Sequence, residues 1–289
     1  TDPDLQAIHA LAPWVVTMDD HEVENNYAGI HSQYNTFPDD FLRQRAAAYQ
    51  AFYENIPIRS TSIPKGPDML MYRRFRYGNL AEFNVLDTRQ YRNNFPANEA
   101  ERLEPSRSIL GFDQERWLFH GLSRSDTIWN FLVQQVVLAQ IDRDTGPGVE
   151  YSTDQWDGFP ACRDRLFSAY KAYGIQNPVV LTGDIHRHAA ADLKADFDDA
   201  GSATIGTELI TTSISSDADG SETDSLAPIW LGNPHVKLYN AQRGYVRCRL
   251  TPRQLEADFQ VLPYITRPGA PVSTYATFSI EAGQPGLQR

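Results

Sequence analysis

The sequence predicts an α/β fold in one continuous domain spanning residues 1–289. Two observations carry that expectation. Two short apolar runs, Pro13 to Met18 and Pro178 to Thr182, read as buried strands, and helical patterns alternate with strand patterns between and around them. Both runs stop abruptly in acidic and imidazole groups: Asp19-Asp20-His21-Glu22 after the first, Gly183-Asp184-Ile185-His186 after the second. In layered α/β folds the carboxyl edge of the strands is where ligands bind.

The remaining elements follow in order. Asp4 caps a short helix running through His9. Pro38 to about Asn55 is helical, because Pro38 suits a first turn and Asp39 and Asp40 complement the helix dipole. Met69 to Tyr77 and Leu80 to Leu86 form a hairpin joined at Gly78-Asn79. Its Arg73, Arg74 and Arg76 read as a solvated face, or one that attracts anionic headgroups. Asp113 to Leu122 and Pro160 to Tyr173 are amphipathic helices, the second stopped by Gly174. Further strands are expected at Glu208 to Ser213, Tyr245 to Leu250, Leu255 to Val261 and Tyr275 to Ile280, with a polar loop over Asp217 to Asp224.

Bulk properties narrow the function. The longest apolar stretch, from Phe131 to Ala139, is split by Gln134 and Gln135, so no membrane span is expected. A formal net charge of −11 repels a polyanion, which argues against nucleic-acid binding. It also sets a condition on any phosphate chemistry, since an acidic site accepts a phosphate only where cations invert the local charge. Two cysteines, Cys162 and Cys248, are too few for a disulfide scaffold, and whether they pair stays open.

Carboxylate and imidazole groups released from two separate strand ends are what a binuclear metal hydrolase needs. Oxygen ligands suit hard cations and neutral imidazole suits borderline metals. A zinc peptidase helix is excluded, because Asn25 stands where a second histidine is required. Asp184 and His186 are two apart, so in an extended segment their side chains point the same way. Against this stands a plain alternative for each block: a solvated acidic turn for the first, and for the second a strand-to-loop turn with Asp184 as a cap and His186 partly exposed.

Asp-Asp-His-Glu after Trp14 to Met18 resembles the Gly-Asn-His-Glu block of calcineurin-like metallophosphoesterases. Gly183-Asp184-Ile185-His186 resembles their Gly-His-x-His block with the first histidine replaced by aspartate. The pair of replacements is similar to the PhoD-type alkaline phosphatase and phospholipase D family. So are Asp19 to Gly29, Leu86 to Arg92, Leu110-Gly111 with Trp117-Leu118, Trp156 to Pro160, and Arg243 to Val246.

The resemblance implies a metallophosphoesterase-like four-layer α/β/β/α sandwich with mixed sheets. It implies Asp20, Asp184, His186 and, less directly, Asp19 as metal ligands, with Glu22 as a further ligand or a support. His21 would assist the leaving group, and Arg89 would reach a phosphoryl oxygen or point to solvent. Trp156 and Asp157 would line the site or pack beneath it, and Asn25 and Asn26 form a turn. The implied metals are Fe3+ and Ca2+, with Zn2+ or Mn2+ open, and the implied setting is extracellular. The family's upstream motifs, a strand ending in Ser-Cys-Gln and one ending in Gly-Asp-x-x-Tyr, have no counterpart here. An N-terminal fragment of the same precursor is therefore expected as a partner. The expected activity is metal-dependent hydrolysis of phosphate esters. Hydrolysis of phospholipid headgroups is the alternative within the class, and a non-catalytic cation-binding fragment is the alternative outside it.

Overall fold

The computed structural model describes residues 2–199 and 201–289. Two helices open the chain, α1 (Pro3–Leu11) and α2 (Pro38–Asn55). The hairpin β1 (Arg73–Tyr77) and β2 (Ala81–Val85) follows, then α3 (Glu99–Arg102), α4 (Phe112–Leu122) and β3 (Trp129–Val133). Next come α5 (Pro160–Tyr173), β4 (Pro178–Thr182), β5 (His188–Lys194) and β6 (Thr204–Ile210). The chain continues through α6 (Ala227–Leu231), β7 (Val236–Asn240), β8 (Arg243–Leu250), β9 (Gln254–Leu262), β10 (Ser273–Glu281) and β11 (Gln284–Gln288).

Seven strands form one mixed sheet in the order β1-β2-β3-β4-β6-β5-β7, and four form an antiparallel sheet in the order β11-β10-β9-β8. This is the α/β architecture expected from the metallophosphoesterase-like likeness, except that only the larger of the two sheets is mixed. Alternation along the strands sets which core each residue joins. Phe131, Val179, Ala190 and Leu209 point toward the small sheet and meet Leu255, Ala257, Phe259, Phe278 and Ile280 there. Their neighbours Leu132, Val180, Ala189 and Ile210 point the other way and pack with Leu118, Leu122, Leu166 and Trp230 from α4, α5 and α6. His188 belongs to the intersheet layer. Its Nδ1 accepts from the Thr212 N–H (3.3 Å), so its Nε2 carries the proton and donates to the Gln260 carbonyl (3.1 Å). Burial pushes its pKa down to about 4, which keeps the ring neutral.

Strands β2, β3, β4 and β6 run parallel, so their carboxyl ends share one edge. From that edge the chain releases Asp87 and Arg89, Gln134 and Gln135, Asp184, and Thr211 and Thr212 in turn.

Three expectations are corrected. Pro13 to Met18 is not a buried strand: it pairs with no strand among the described residues, and Trp14 and Val15 are 41% and 48% exposed. Its apolar composition imitates a strand, but no backbone ladder forms, and it is held instead by side chains. Arg73 donates to the Val16 carbonyl, and Gln135 Nε2 donates to Thr17 Oγ1 (2.8 Å) and the Met18 carbonyl (2.8 Å). Of the hairpin arginines only Arg76 is exposed as expected; Arg73 and Arg74 are partly buried and engaged. Arg74 pairs with Glu82 (3.2 Å) and lies over the Trp117 ring (4.6 Å), while Arg76 pairs with Asp126. Finally, the segment through Asp184 and His186 is not extended. Both residues take left-handed backbone angles, φ +66° and +53°, so the alternation argument does not apply to them. Cys162 and Cys248 are both free thiols, the first buried and the second exposed.

Candidate metal centre

The loop after Met18 folds into a tight turn around Asp20. The Asp20 carbonyl accepts the N–H groups of Val23 (2.8 Å) and Glu24 (2.7 Å). Its carboxylate accepts those of His21 (2.8 Å) and Asn26 (2.9 Å). Asn26 takes φ +51°, which an asparagine tolerates better than most residues. The turn closes at Gly29, φ +58°, whose N–H donates to the Arg89 carbonyl (2.9 Å) and where a Cβ would stand 2.9 Å from the Arg92 carbonyl. The composition of Asp19 to Gly29 thus serves to bring one buried carboxylate, Asp20 at 5% exposure, against the end of β2.

Asp184 arrives from the end of β4. Asp19, Asp20 and Asp184 each offer a carboxylate oxygen, and these three oxygens lie within 4.8 Å of one another. Arg89, at 1% exposure, stands among them. Its Nε donates to Asp19 (2.6 Å), Nη1 to Asp154 (2.6 Å) and Nη2 to Asp184 (2.8 Å), with Asp20 at 3.8 Å. Asp87 orients this arginine by accepting the Arg89 N–H (3.0 Å). Arg92 adds a second guanidinium on Asp154 (2.6 Å). Four carboxylates against two guanidiniums leave two negative charges uncompensated.

The electrostatics carry the mark of that surplus. Burial, then the neighbouring Asp19 charge, pushes the Asp184 carboxyl well above the ordinary range. Burial raises Asp19 too, opposed by Arg89 and reinforced by Asp20. Burial also acts to raise Asp154, but Arg89 and Arg92 outweigh it and hold that carboxyl low. A cation relieves such a cluster by replacing proton binding with metal binding. An all-oxygen donor set fits a hard ion such as Ca2+, Mg2+ or Mn2+, so these residues suit a metal.

Most of the residues singled out from the sequence converge on one cavity. It measures about 790 Å3, and Asp19, Asp20, His21, Glu22, Asp184 and His186 all line it. Arg89 does not line it, because its guanidinium is buried behind Asp19, Asp154 and Asp184 and neither reaches into the cavity nor points to solvent. His21 is exposed on its wall. His186 turns its Nδ1 to Asp217 Oδ2 (2.8 Å), outside the three-carboxylate group. Trp156 lies beneath, fully buried, its Nε1 donating to Gln134 Oε1 (2.7 Å). Asp157 also lies beneath, paired with Arg163 (2.6 Å).

Sequence reasoning missed Asp154, Gln155 and Gln135. Gln155 donates to Asp184 (2.8 Å) and accepts from the Val137 N–H (2.5 Å). Gln135 accepts from Thr88 N (3.1 Å) and Oγ1 (2.7 Å) while donating to the segment before Asp19. The available signal was the Gln134-Gln135 pair itself. Two amides inside an apolar run must be hydrogen-bonded once buried, and so mark a junction. Asp154 had no such signal.

A family model described as PhoD-like phosphatase matches residues 1–259. Alkaline phosphatase D of Bacillus subtilis (strain 168) is 46% identical over an alignment of 299 residues, covering 100% of this chain and 51% of that protein. A solved structure titled "Structure of PhoD" superposes with a TM-score of 0.96 at 46% identity, over 99% of this chain and 56% of its own. The chain thus spans about half the length of the curated relative it matches.

Proposed function

The chain belongs to the PhoD-like phosphatase family, and from that premise we propose that it hydrolyses phosphate esters with water at the acidic cavity. The observation that carries this reading is the surplus of carboxylate charge around Arg89 at the carboxyl edge of the parallel strands. A site so acidic repels a phosphoryl group by itself and accepts one when cations occupy it.

Bound cations supply Lewis acidity and lower the pKa of a bound water. Asp19, Asp20 and Asp184 would hold the harder ion, to which we assign Ca2+, with Fe3+ as the companion that the family resemblance implies. His186 would be a donor to the companion ion. Asp217 takes its Nδ1, which leaves Nε2 as the ligating nitrogen in the carboxylate–histidine–metal pattern. Arg89 is a positioning residue: its fork fixes the spacing of Asp19, Asp154 and Asp184. His21, exposed in the cavity, gives a proton to the departing alkoxide oxygen.

The test is elemental analysis together with hydrolysis rates for wild type, Asp184→Asn and His21→Ala. Asp184→Asn is expected to lose bound metal and about 10²-fold or more in kcat. His21→Ala is expected to keep its metal and lose about 10²-fold on alkyl esters, less on esters of acidic phenols. Full metal content and full activity in Asp184→Asn would overturn the assignment. Metal binding with no hydrolysis by the chain, even with the upstream half supplied, while a full-length family member hydrolyses the same esters in parallel, would leave a cation-binding role instead. Phosphatidylcholine vesicles as a second substrate separate headgroup hydrolysis from phosphomonoester hydrolysis.

A further inference from the structure

Beside the acidic cavity lies a second, smaller one of about 190 Å3 with mostly apolar walls. Val137, Ile141 and Trp230 are buried in it, and Ile185, Leu226 and Ile229 complete the apolar surface. The two cavities share Ser152 and Gln155. Gln155 is the partition: its amide NH2 donates to Asp184 on one side, and its oxygen takes the Val137 N–H on the other. Ile185 stands between Asp184 and His186, so the wall of the small cavity is continuous in sequence with two residues lining the large one.

Three of the polar side chains that line it, Gln155, Asp157 and Arg187, are already engaged, while the exposed Arg143 guanidinium and the Ser152 hydroxyl have no side-chain partner among the described residues. Asp157 accepts from Ile141 N (2.9 Å) and from Arg163 (2.6 Å), and Arg187 donates to Asp224 (2.8 Å). What the pocket offers an occupant is therefore mainly hydrocarbon surface. Its size sets the occupant: an apolar cavity of about 150 Å3 accepts benzene, and this one is slightly larger. It is too small for a complete drug-sized ligand, whose sites start near 300 Å3.

We propose that this pocket is the subsite for the alcohol portion of the phosphate ester, an apolar group of about the size of one six-membered ring, held while the phosphoryl group lies over Asp19, Asp20 and Asp184. The inference rests on the hydrolase reading for its catalytic consequence. The binding of the ring stands on the pocket alone. A benzyl ester gains from burying the ring against Ile141, Ile229 and Trp230, whereas an ethyl ester leaves most of that surface empty.

The test compares benzyl phosphate with ethyl phosphate, two alkyl esters of weakly acidic alcohols, in the metal-loaded chain and in Ile229→Trp and Leu226→Trp, which fill the pocket. Wild type is expected to favour benzyl over ethyl phosphate by roughly tenfold or more in kcat/KM. Both variants are expected to abolish that preference while leaving ethyl phosphate turnover unchanged. Saturation-transfer NMR on benzylphosphonate and benzyl alcohol, neither of which needs turnover, reads the same pocket directly. Transfer to the ring protons in wild type, lost in both variants, supports the subsite even if no ester is hydrolysed, an outcome that removes only the hydrolase reading. No ring transfer in wild type, transfer that survives both substitutions, or a benzyl preference that survives them, overturns it.

Discussion

Two buried carboxylate–guanidinium centres lie close together beneath the sheet edge, and they are built on opposite terms. At Asp157 and Arg163 one carboxylate meets one guanidinium at 2.6 Å, and the remaining valences go to the Ile141 N–H and the Gln140 amide oxygen. Charge and hydrogen bonding both close. Around Arg89, one guanidinium is shared by Asp19, Asp154 and Asp184, with Asp20 just beyond, and Arg92 joins only at Asp154. All three Arg89 nitrogens find carboxylates there, but the buried Arg92 Nε finds no partner and the charge does not close. The first arrangement is what a fold needs to bury an ion pair without a lone charge. The second leaves a buried surplus that binding of a proton or a cation relieves, and charge clusters of that kind concentrate at working sites.

The contrast can be broken from the balanced side. Arg163→Met strands Asp157 without its counter-charge in a buried position, and is expected to cost about 3–5 kcal/mol in denaturant unfolding while the folded fraction keeps its metal. A cost no greater than that of a surface substitution would mean that the two centres do not differ in kind. On the unbalanced side, Arg89→Lys keeps one positive charge but removes the fork. Metal affinity or kcat is expected to fall about 10–100-fold, read by titration with Ca2+ and by phosphate release. An unchanged affinity would show that spacing of the carboxylates does not depend on the guanidinium.

A smaller effect is expected at the turn that delivers Asp20. Gly29→Ala places a Cβ at φ +58°, 2.9 Å from the Arg92 carbonyl, and should cost about 1–3 kcal/mol, with metal content falling in step as Asp20 shifts. Normal stability and metal content would show that the turn tolerates the side chain.

The smallest effect is a slope. Glu208 lies under the same edge, fully buried, accepting from Leu138 N (2.9 Å), Ala139 N (2.8 Å) and Thr182 Oγ1 (2.6 Å). Burial raises its pKa from the ordinary 4.5 to about 7. A folded-state pKa above the unfolded one means that the folded protein holds the proton more tightly. The stability it contributes is therefore complete below about pH 4.5 and lost as pH rises through 7. Glu208→Gln should flatten the fall in melting temperature between those two values, besides lowering it throughout by setting an NH2 against a backbone donor. An equal slope in both proteins would sink the assignment.

Several parts of this picture were legible before any coordinates. Helix α2 begins and ends where Pro38 and Asn55 place it, and α5 runs from Pro160 to the left-handed Gly174, φ +62°. These boundaries depend on local rules of φ and capping that act within a few residues. The hairpin at Gly78 and most of the later strands were legible for the same reason. Misreadings occurred where long-range pairing decides. Trp14 to Met18 has strand composition without a strand partner among the described residues. His188 to Lys194 and Trp129 to Val133 became strands because neighbours on both sides supplied ladders.

The sequence by itself determined the chemistry at hand: two acid-and-imidazole blocks, their order along the chain, and a net charge that requires cations for any dealings with phosphate. Local composition suffices for that, because residue type fixes what a side chain can ligate or donate. Only the tertiary structure decided that Asp19, Asp20 and Asp184 meet within 4.8 Å, that Arg89 is enclosed by them, and that His186 turns toward Asp217. It also brought in Asp154, which nothing in its neighbourhood marks. The physical reason is that the parallel register of β2, β3 and β4 aligns the loops that carry Arg89, Gln135 and Asp184. Gln135 and Arg89 then fasten the unpaired segment ending in Asp19 and Asp20, a convergence that is a property of the packed sheet and not of any one stretch of chain.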